Sequence, residues 1–129
     1  GDLEQLGVFG NGYSAPDGTG VRDYVHVEDL ADGHVLPLKA RLDTGDSHTV
    51  NLGTGDGSSV LDVVKAYSDA CGQDLPYQIK PRRDGDVAVL TARPDKARET
   101  LGFEATRSLA DMCRSSWAWV SGQIRNDRD

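Results

Sequence analysis

An α/β fold of short strands and about four helices is what this sequence predicts, on three observations. Along 129 residues the apolar positions switch repeatedly between a period of two and a period of 3.6. Most strand-like runs are brief and are followed by glycine, proline or asparagine turns. Two Ser-x-x-Asp pairs, Ser59 with Asp62 and Ser108 with Asp111, stand directly before apolar stripes at helical spacing, as a capping box does. The length suits one domain or part of one. Fifteen glycines beside only 6% aromatic residues imply many turns and a thin core.

Taken in order, Leu6-Gly7-Val8-Phe9-Gly10 reads as a strand, stopped by the Asn11-Gly12 turn. Pro16-Asp17-Gly18 is a second turn, with proline preset for its first central position. The chain then alternates: Val21, Asp23, Val25 and Val27 on one side, Arg22, Tyr24 and His26 on the other. After that the period changes. Val27, Leu30, Ala31, His34, Val35 and Leu38 make a helical stripe over Glu28–Leu38, and Glu28, Asp29 and Asp32 suit a helix N-terminus. Pro37 lacks the N–H that would reach the Gly33 carbonyl, so a kink or early end is expected there. Asp43–Ser47 reads as a polar loop and Thr49–Leu52 as a strand. Beyond the Gly53–Gly57 turn, Ser59 caps a helix with Val60, Val63, Val64, Tyr67 and Cys71 as its stripe and Gly72 as its end. Tyr77–Lys80 is a strand closed by Pro81, Arg82–Asp86 a charged turn, and Val87–Thr91 a further strand. Pro94 is expected at the first position of a short helix ending near Gly102. Leu109, Met112, Cys113, Trp117 and Val120 form the last stripe, and the polar residues after Gly122 are expected to fray.

Net charge is −7, which disfavours nucleic acid and anionic membrane as partners, since both need a basic face. The apolar runs are far too short to span a bilayer, and Gly1–Asp2 begins no signal peptide. A soluble, unexported, cytoplasmic protein is expected, with Cys71 and Cys113 as reduced core thiols.

Three stretches could carry chemistry. Strand, Gly53-x-Gly55, then a helix N-terminus is the layout that cradles phosphate. Its third glycine position holds Ser58 and no P-loop lysine follows, so a plain tight turn explains the glycines equally well. His26 and His34 are too widely spaced for a metal pair, and His34 falls on the apolar stripe as a core histidine would. The third stretch is basic: Arg22 on the polar side of its strand, and Arg82 and Arg83 in a turn closed by Asp86. By residue type alone these are either solvated charges or a diphosphate clamp, because the planar guanidinium donates two parallel bonds to phosphate. Asp86 is a plausible acceptor for sugar or ribose hydroxyls. By periodicity Leu90 reads as a core residue of the Val87–Thr91 strand.

Several motifs together resemble the UDP-glucose 4-epimerases of the extended short-chain dehydrogenase class. They are Arg22-Asp23-Tyr24-Val25-His26-Val27 with Asp29-Leu30-Ala31-Asp32-Gly33-His34, Val8-Phe9-Gly10, Asn51-Leu52-Gly53-Thr54-Gly55, Pro81-Arg82-Arg83-Asp84-Gly85-Asp86, and Trp117-x-Trp119. The resemblance runs from about Leu6 to Trp119. It departs at Pro37, where the family more often has a small residue, and at Arg93, where the family's pattern has a capping aspartate.

The resemblance implies a C-terminal substrate-binding portion, residues 1–129, lacking the N-terminal Rossmann domain. It implies a UDP-sugar site made by Val8, Phe9, Arg22, Tyr24, Arg83, Asp86 and Leu90. Gly7–Phe9 would lie against uracil, Arg22 and Arg83 on the diphosphate, Asp86 on ribose and Leu90 beside the hexose near C2, while Arg82 would be a solvated neighbour. NAD would be bound by the missing domain and not by this chain. The family's Tyr-x-x-x-Lys pair should lie upstream; no tyrosine here has a lysine four residues on. The whole enzyme would interconvert UDP-glucose and UDP-galactose through a 4-keto sugar, and this chain alone would be inactive. Bared of its partner, its apolar surface would promote self-association. Competing expectations are another nucleotide-sugar enzyme of the class, a decarboxylase or dehydratase, and a UDP-sugar-binding module without catalysis.

Overall fold

The computed structural model of the protein describes residues 4–126. In order, the elements are β1 (Leu6–Phe9), β2 (Val21–Arg22), α1 (Val27–Thr44), β3 (Ser58–Ser59), α2 (Val60–Cys71), β4 (Tyr77–Lys80), β5 (Val89–Leu90), α3 (Asp95–Leu101) and α4 (Leu109–Asn126). The α/β class with four helices matches the sequence-based expectation.

Two small sheets organise the strands. β1 and β4 run parallel, from Leu6 opposite Tyr77 to Phe9 opposite Lys80. In the other sheet β2 is central, antiparallel to β3 and parallel to β5, with Arg22 opposite Leu90. Both parallel pairs therefore end at their carboxyl edges, with Phe9 and Lys80 in one and Arg22 and Leu90 in the other. Ligands in α/β folds bind outside such edges. The chain from β4 to β5 must cross this region, and it does so through the Arg82–Asp86 turn.

Local sequence explains the helix ends. Ser59 accepts from the Asp62 amide at 3.0 Å while the Asp62 carboxylate accepts from the Ser59 amide at 2.9 Å. Ser108 and Asp111 repeat the exchange before α4. Gly45, Gly72 and Gly102 end α1, α2 and α3 in the left-handed conformation that glycine adopts without strain. Val8, Val21, Val64, Ala97, Phe103 and Cys113 are buried and make the core, a thin one as composition implied.

Several expectations needed correction. The alternating stretch is strand only at Val21–Arg22; the Asp23 amide still donates to the Leu90 carbonyl at 3.2 Å, and helix α1 takes over at Val27. α1 does not end at Pro37 but continues to Thr44, into the expected loop. Good helix formers from Leu38 to Leu42 and the Gly45 cap sustain it despite the one missing donor. His34 is exposed, with its Nδ1 on the Leu30 carbonyl at 2.7 Å, and is no core histidine. Thr49–Leu52 forms no strand among the described residues, and Val87–Thr91 is a strand only at Val89–Leu90. Pro94 is the N-cap of α3, not its first helical residue, and supplies no side-chain cap. Helix continues past Gly122 to Asn126. Cys113 is buried, and burial pushes its thiol pKa up; Cys71 is only half-buried. No described helix is long and apolar enough to cross a membrane.

Candidate functional site

At the carboxyl edges of the parallel strands, Phe9, Arg22, Tyr24, Arg83 and Asp86 line one cavity of about 260 Å³, together with Gly7, Tyr13, Gly20 and Val60. Asp86 is its hub. One carboxylate oxygen lies 3.8 Å from Arg22 Nη2, and the other accepts from Arg83 Nε at 3.0 Å. Two guanidinium groups thus gather round one carboxylate although 61 positions separate them in the sequence. Arg83 is held by its Nε alone among the described residues, which leaves both terminal nitrogens without a hydrogen-bond partner. Its guanidinium also lies 4.6 Å from the centre of the Phe9 ring. Such a fork can donate to two oxygens of a phosphate without giving up Asp86.

Two of the sequence-predicted residues stand apart from this group. Val8 is buried in the core on the opposite side of β1 from Gly7 and Phe9 and does not line the cavity. Leu90 is exposed at the end of β5 and lines a neighbouring hollow with Arg22, Asp23, Val50, Asn51, Leu52, Thr91 and Ala92. Arg22 belongs to both hollows. Tyr24 likewise borders a further, more polar hollow between the Gly53–Ser58 segment and Phe103–Met112. Burial raises the Tyr24 hydroxyl pKa above its ordinary value, against the pull of the Arg22 charge, so this phenol stays protonated.

The glycine-rich turn is already filled by the protein. Asp23 accepts from the Thr54 amide at 3.0 Å, the Thr54 hydroxyl at 2.6 Å, the Gly55 amide at 3.0 Å and the Ala92 amide at 3.1 Å. Gly53 must be glycine here, since a Cβ would meet both the Asp23 carboxylate and Ala92. Burial works to raise the Asp23 pKa, but these hydrogen bonds outweigh it and hold the carboxyl below its ordinary value. The amides that would cradle a phosphate are spent on an internal anion, so this turn does not fit a dinucleotide. Among the described residues no His, Cys, Asp and Glu cluster could hold a metal ion.

Sequence reasoning missed several participants. Asp29 is 2% exposed and accepts from the Thr106 and Arg107 amides at 3.2 and 3.0 Å, and from the Arg107 guanidinium. It ties the start of α1 to the segment before α4. His26 caps α1 by accepting from the Glu28 amide at 3.1 Å, and its Nε2 lies 2.9 Å from Ser115 Oγ. Tyr13 also went unnoticed. None carries a periodic signal, because each acts across the chain or within a turn.

The fold is that of the C-terminal portion of an extended short-chain dehydrogenase. The chain belongs to the GDP-mannose 4,6 dehydratase family, whose family model matches residues 1–116. A UDP-glucose 4-epimerase of Bacillus subtilis is 52% identical over 124 residues, 96% of this chain and 37% of that protein. The solved UDP-glucose 4-epimerase of Stenotrophomonas maltophila, with bound NAD and formylated UDP-arabinopyranose, superposes with a TM-score of 0.92 at 47% identity, covering 96% of this chain and 37% of that one. That of Bifidobacterium longum, in complex with NAD+ and UDP, gives a TM-score of 0.84 at 49% identity, covering 95% and 36%. The chain therefore spans little more than a third of the length of these relatives.

Proposed function

We propose that this chain is the UDP-sugar-binding part of a UDP-glucose 4-epimerase, which as a whole interconverts UDP-glucose and UDP-galactose. The observation that carries the reading is the Arg22–Asp86–Arg83 cluster beside Phe9, with the Arg83 terminal nitrogens unengaged. Arg83 and Arg22 neutralise the diphosphate, and Asp86, fixed between them, accepts from ribose. Gly7 and the Phe9 ring form the wall for uracil. Tyr24 donates its retained proton at the edge of the cavity, and Leu90 flanks the sugar in the hollow next door.

NAD-dependent chemistry belongs to the rest of such an enzyme. The Gly53–Gly57 turn is committed to Asp23, and no Tyr-x-x-x-Lys pair occurs in this sequence. Taken alone, the chain is expected neither to retain NAD nor to turn over UDP-sugar. It is also expected to self-associate, since Val27, Leu38 and Leu42 of α1 lie 72%, 58% and 77% exposed. With a net charge of −7, neither nucleic acid nor an anionic membrane is a partner, and the compartment is the cytoplasm.

Calorimetric titration of the full-length protein with UDP tests the reading, and product analysis on UDP-galactose tests the reaction. UDP binding that Arg83→Ala strongly weakens, with UDP-glucose as product, supports it. Failure to bind UDP would overturn it. A 4-keto-6-deoxy or decarboxylated product would favour the dehydratase or decarboxylase alternative, the former being the reaction in the name of the matching family.

A further inference from the structure

Arg82 has no role in the site as described, yet it is not idle. Its guanidinium carbon lies 4.0 Å from the centre of the Tyr13 ring. Its Nη2 donates to the Asp86 carbonyl at 3.3 Å. Arg82 therefore links the two ends of the turn that carries Arg83 and Asp86, and rests that turn on a buried aromatic ring in the loop after β1. A flat guanidinium on a flat ring constrains orientation in a way that an ammonium does not.

The surroundings are cut to fit this stack. Gly10 has φ of 84°, and a Cβ there would run into both the Arg82 stem and the Tyr13 ring. Tyr13 is 7% exposed, lines the cavity, and its hydroxyl has no hydrogen-bond partner among the described residues. A buried hydroxyl without a partner costs stability. The ring face, not the hydroxyl, is the part of Tyr13 in use.

We propose that Arg82 is a positioning residue: stacked on Tyr13 and bonded to the Asp86 carbonyl, it sets the turn so that Arg83 and Asp86 face the cavity, and does not itself touch the ligand. This rests on the diphosphate reading above and deepens it.

The test is calorimetric titration of the full-length protein with UDP and with uridine, which has no phosphate, alongside thermal melts. Arg82→Ala is expected to weaken UDP binding about tenfold and uridine binding by clearly less, since uridine keeps the ribose that Asp86 meets but lacks the phosphate that Arg83 meets. Tyr13→Phe keeps the ring and is expected to retain full UDP affinity. Tyr13→Leu should lose as much as Arg82→Ala, and the double variant should lose no more than either alone. Additive losses would mean that Arg82 meets phosphate directly and would overturn the proposal. So would a loss in Tyr13→Phe, an equal loss for uridine, or a lowered melting temperature with UDP affinity intact. Absence of UDP binding by the unaltered protein would overturn the diphosphate reading and this inference together, whereas UDP binding indifferent to Arg82 would overturn this inference alone.

Discussion

Asp23 and Asp86 flank Arg22, the first as its neighbour in sequence and the second in space, and the fold uses them in opposite ways. Asp23 accepts four hydrogen bonds from Thr54, Gly55 and Ala92 and joins β2 to the glycine turn and the end of β5. Asp86 is partnered by two arginines that both line a cavity, one of them with no hydrogen-bond partner on its terminal nitrogens among the described residues. A carboxylate surrounded by backbone amides builds structure, because its donors have no further capacity. A carboxylate that holds guanidinium groups by one edge leaves their remaining donors for a ligand. Composition does not distinguish the two; only the count of unspent donors does.

The sharpest way to break this contrast is at Arg83. In the full-length protein Arg83→Ala should weaken UDP-sugar binding by about 2–4 kcal/mol, as for a buried phosphate deprived of its charge-assisted partner. Its melting temperature should hardly move, since the side chain is exposed. Calorimetry with parallel thermal melts would show both. Asp23→Asn should do the reverse. Replacing an acceptor oxygen by an amide among three backbone N–H groups is expected to cost about 2 kcal/mol of stability in chemical denaturation. UDP affinity should stay within a few-fold once folding is secured. If the two variants exchanged these signatures, the assignment of one carboxylate to fold and the other to site would be wrong.

Acid should test the structural role of Asp23 again, more weakly. The Asp17, Asp23 and Asp29 carboxyls lie below their ordinary value of 3.8 in the folded chain. Burial opposes this in each, and hydrogen bonds from Ser59 and Thr19, from the Asp23 partners, and from Arg107 and Thr106 outweigh it. A depressed folded pKa stabilises at pH above the unfolded value and loses that contribution as pH falls through the folded one. Melting temperature is therefore expected to hold down to about pH 4 and then to decline, and Asp23→Asn should flatten the decline. A profile unaltered by that substitution would leave Asp23 without its structural role.

The smallest expected effect is at Leu90. A side chain of middling size at the rim should admit UDP-glucose and UDP-galactose and accept UDP-N-acetylglucosamine weakly, because one clash outweighs several good contacts. Leu90→Tyr should lower, and Leu90→Ala raise, the ratio of rates on the acetylated and plain sugars by several-fold in the full-length enzyme. An unchanged ratio in both would remove Leu90 from the site and leave Asp86 with Arg22 and Arg83 as its whole functional reach.

What the sequence determined by itself was local. The capping boxes at Ser59 and Ser108, the glycine ends at Gly72 and Gly102, and the charged turn at Arg82–Asp86 each depend on contacts a few residues long. Their physics is complete within the segment, so residue type and spacing suffice. Tertiary structure decided what depended on partners far along the chain. Alternation from Val21 to Val27 looked like one long strand, yet β2 spans only Val21–Arg22, and the side chains beyond it meet distant partners, Asp23 with Thr54 and Ala92 and His26 with Ser115. The Gly53 turn looked like a phosphate cradle until Asp23, 30 residues upstream, was found in it. Arg82 looked solvated because nothing nearby in sequence hints at Tyr13 beneath it. Hydrogen-bonding capacity and aromatic faces are filled by whichever group the fold delivers, and that delivery is settled by packing, which no short window of sequence contains.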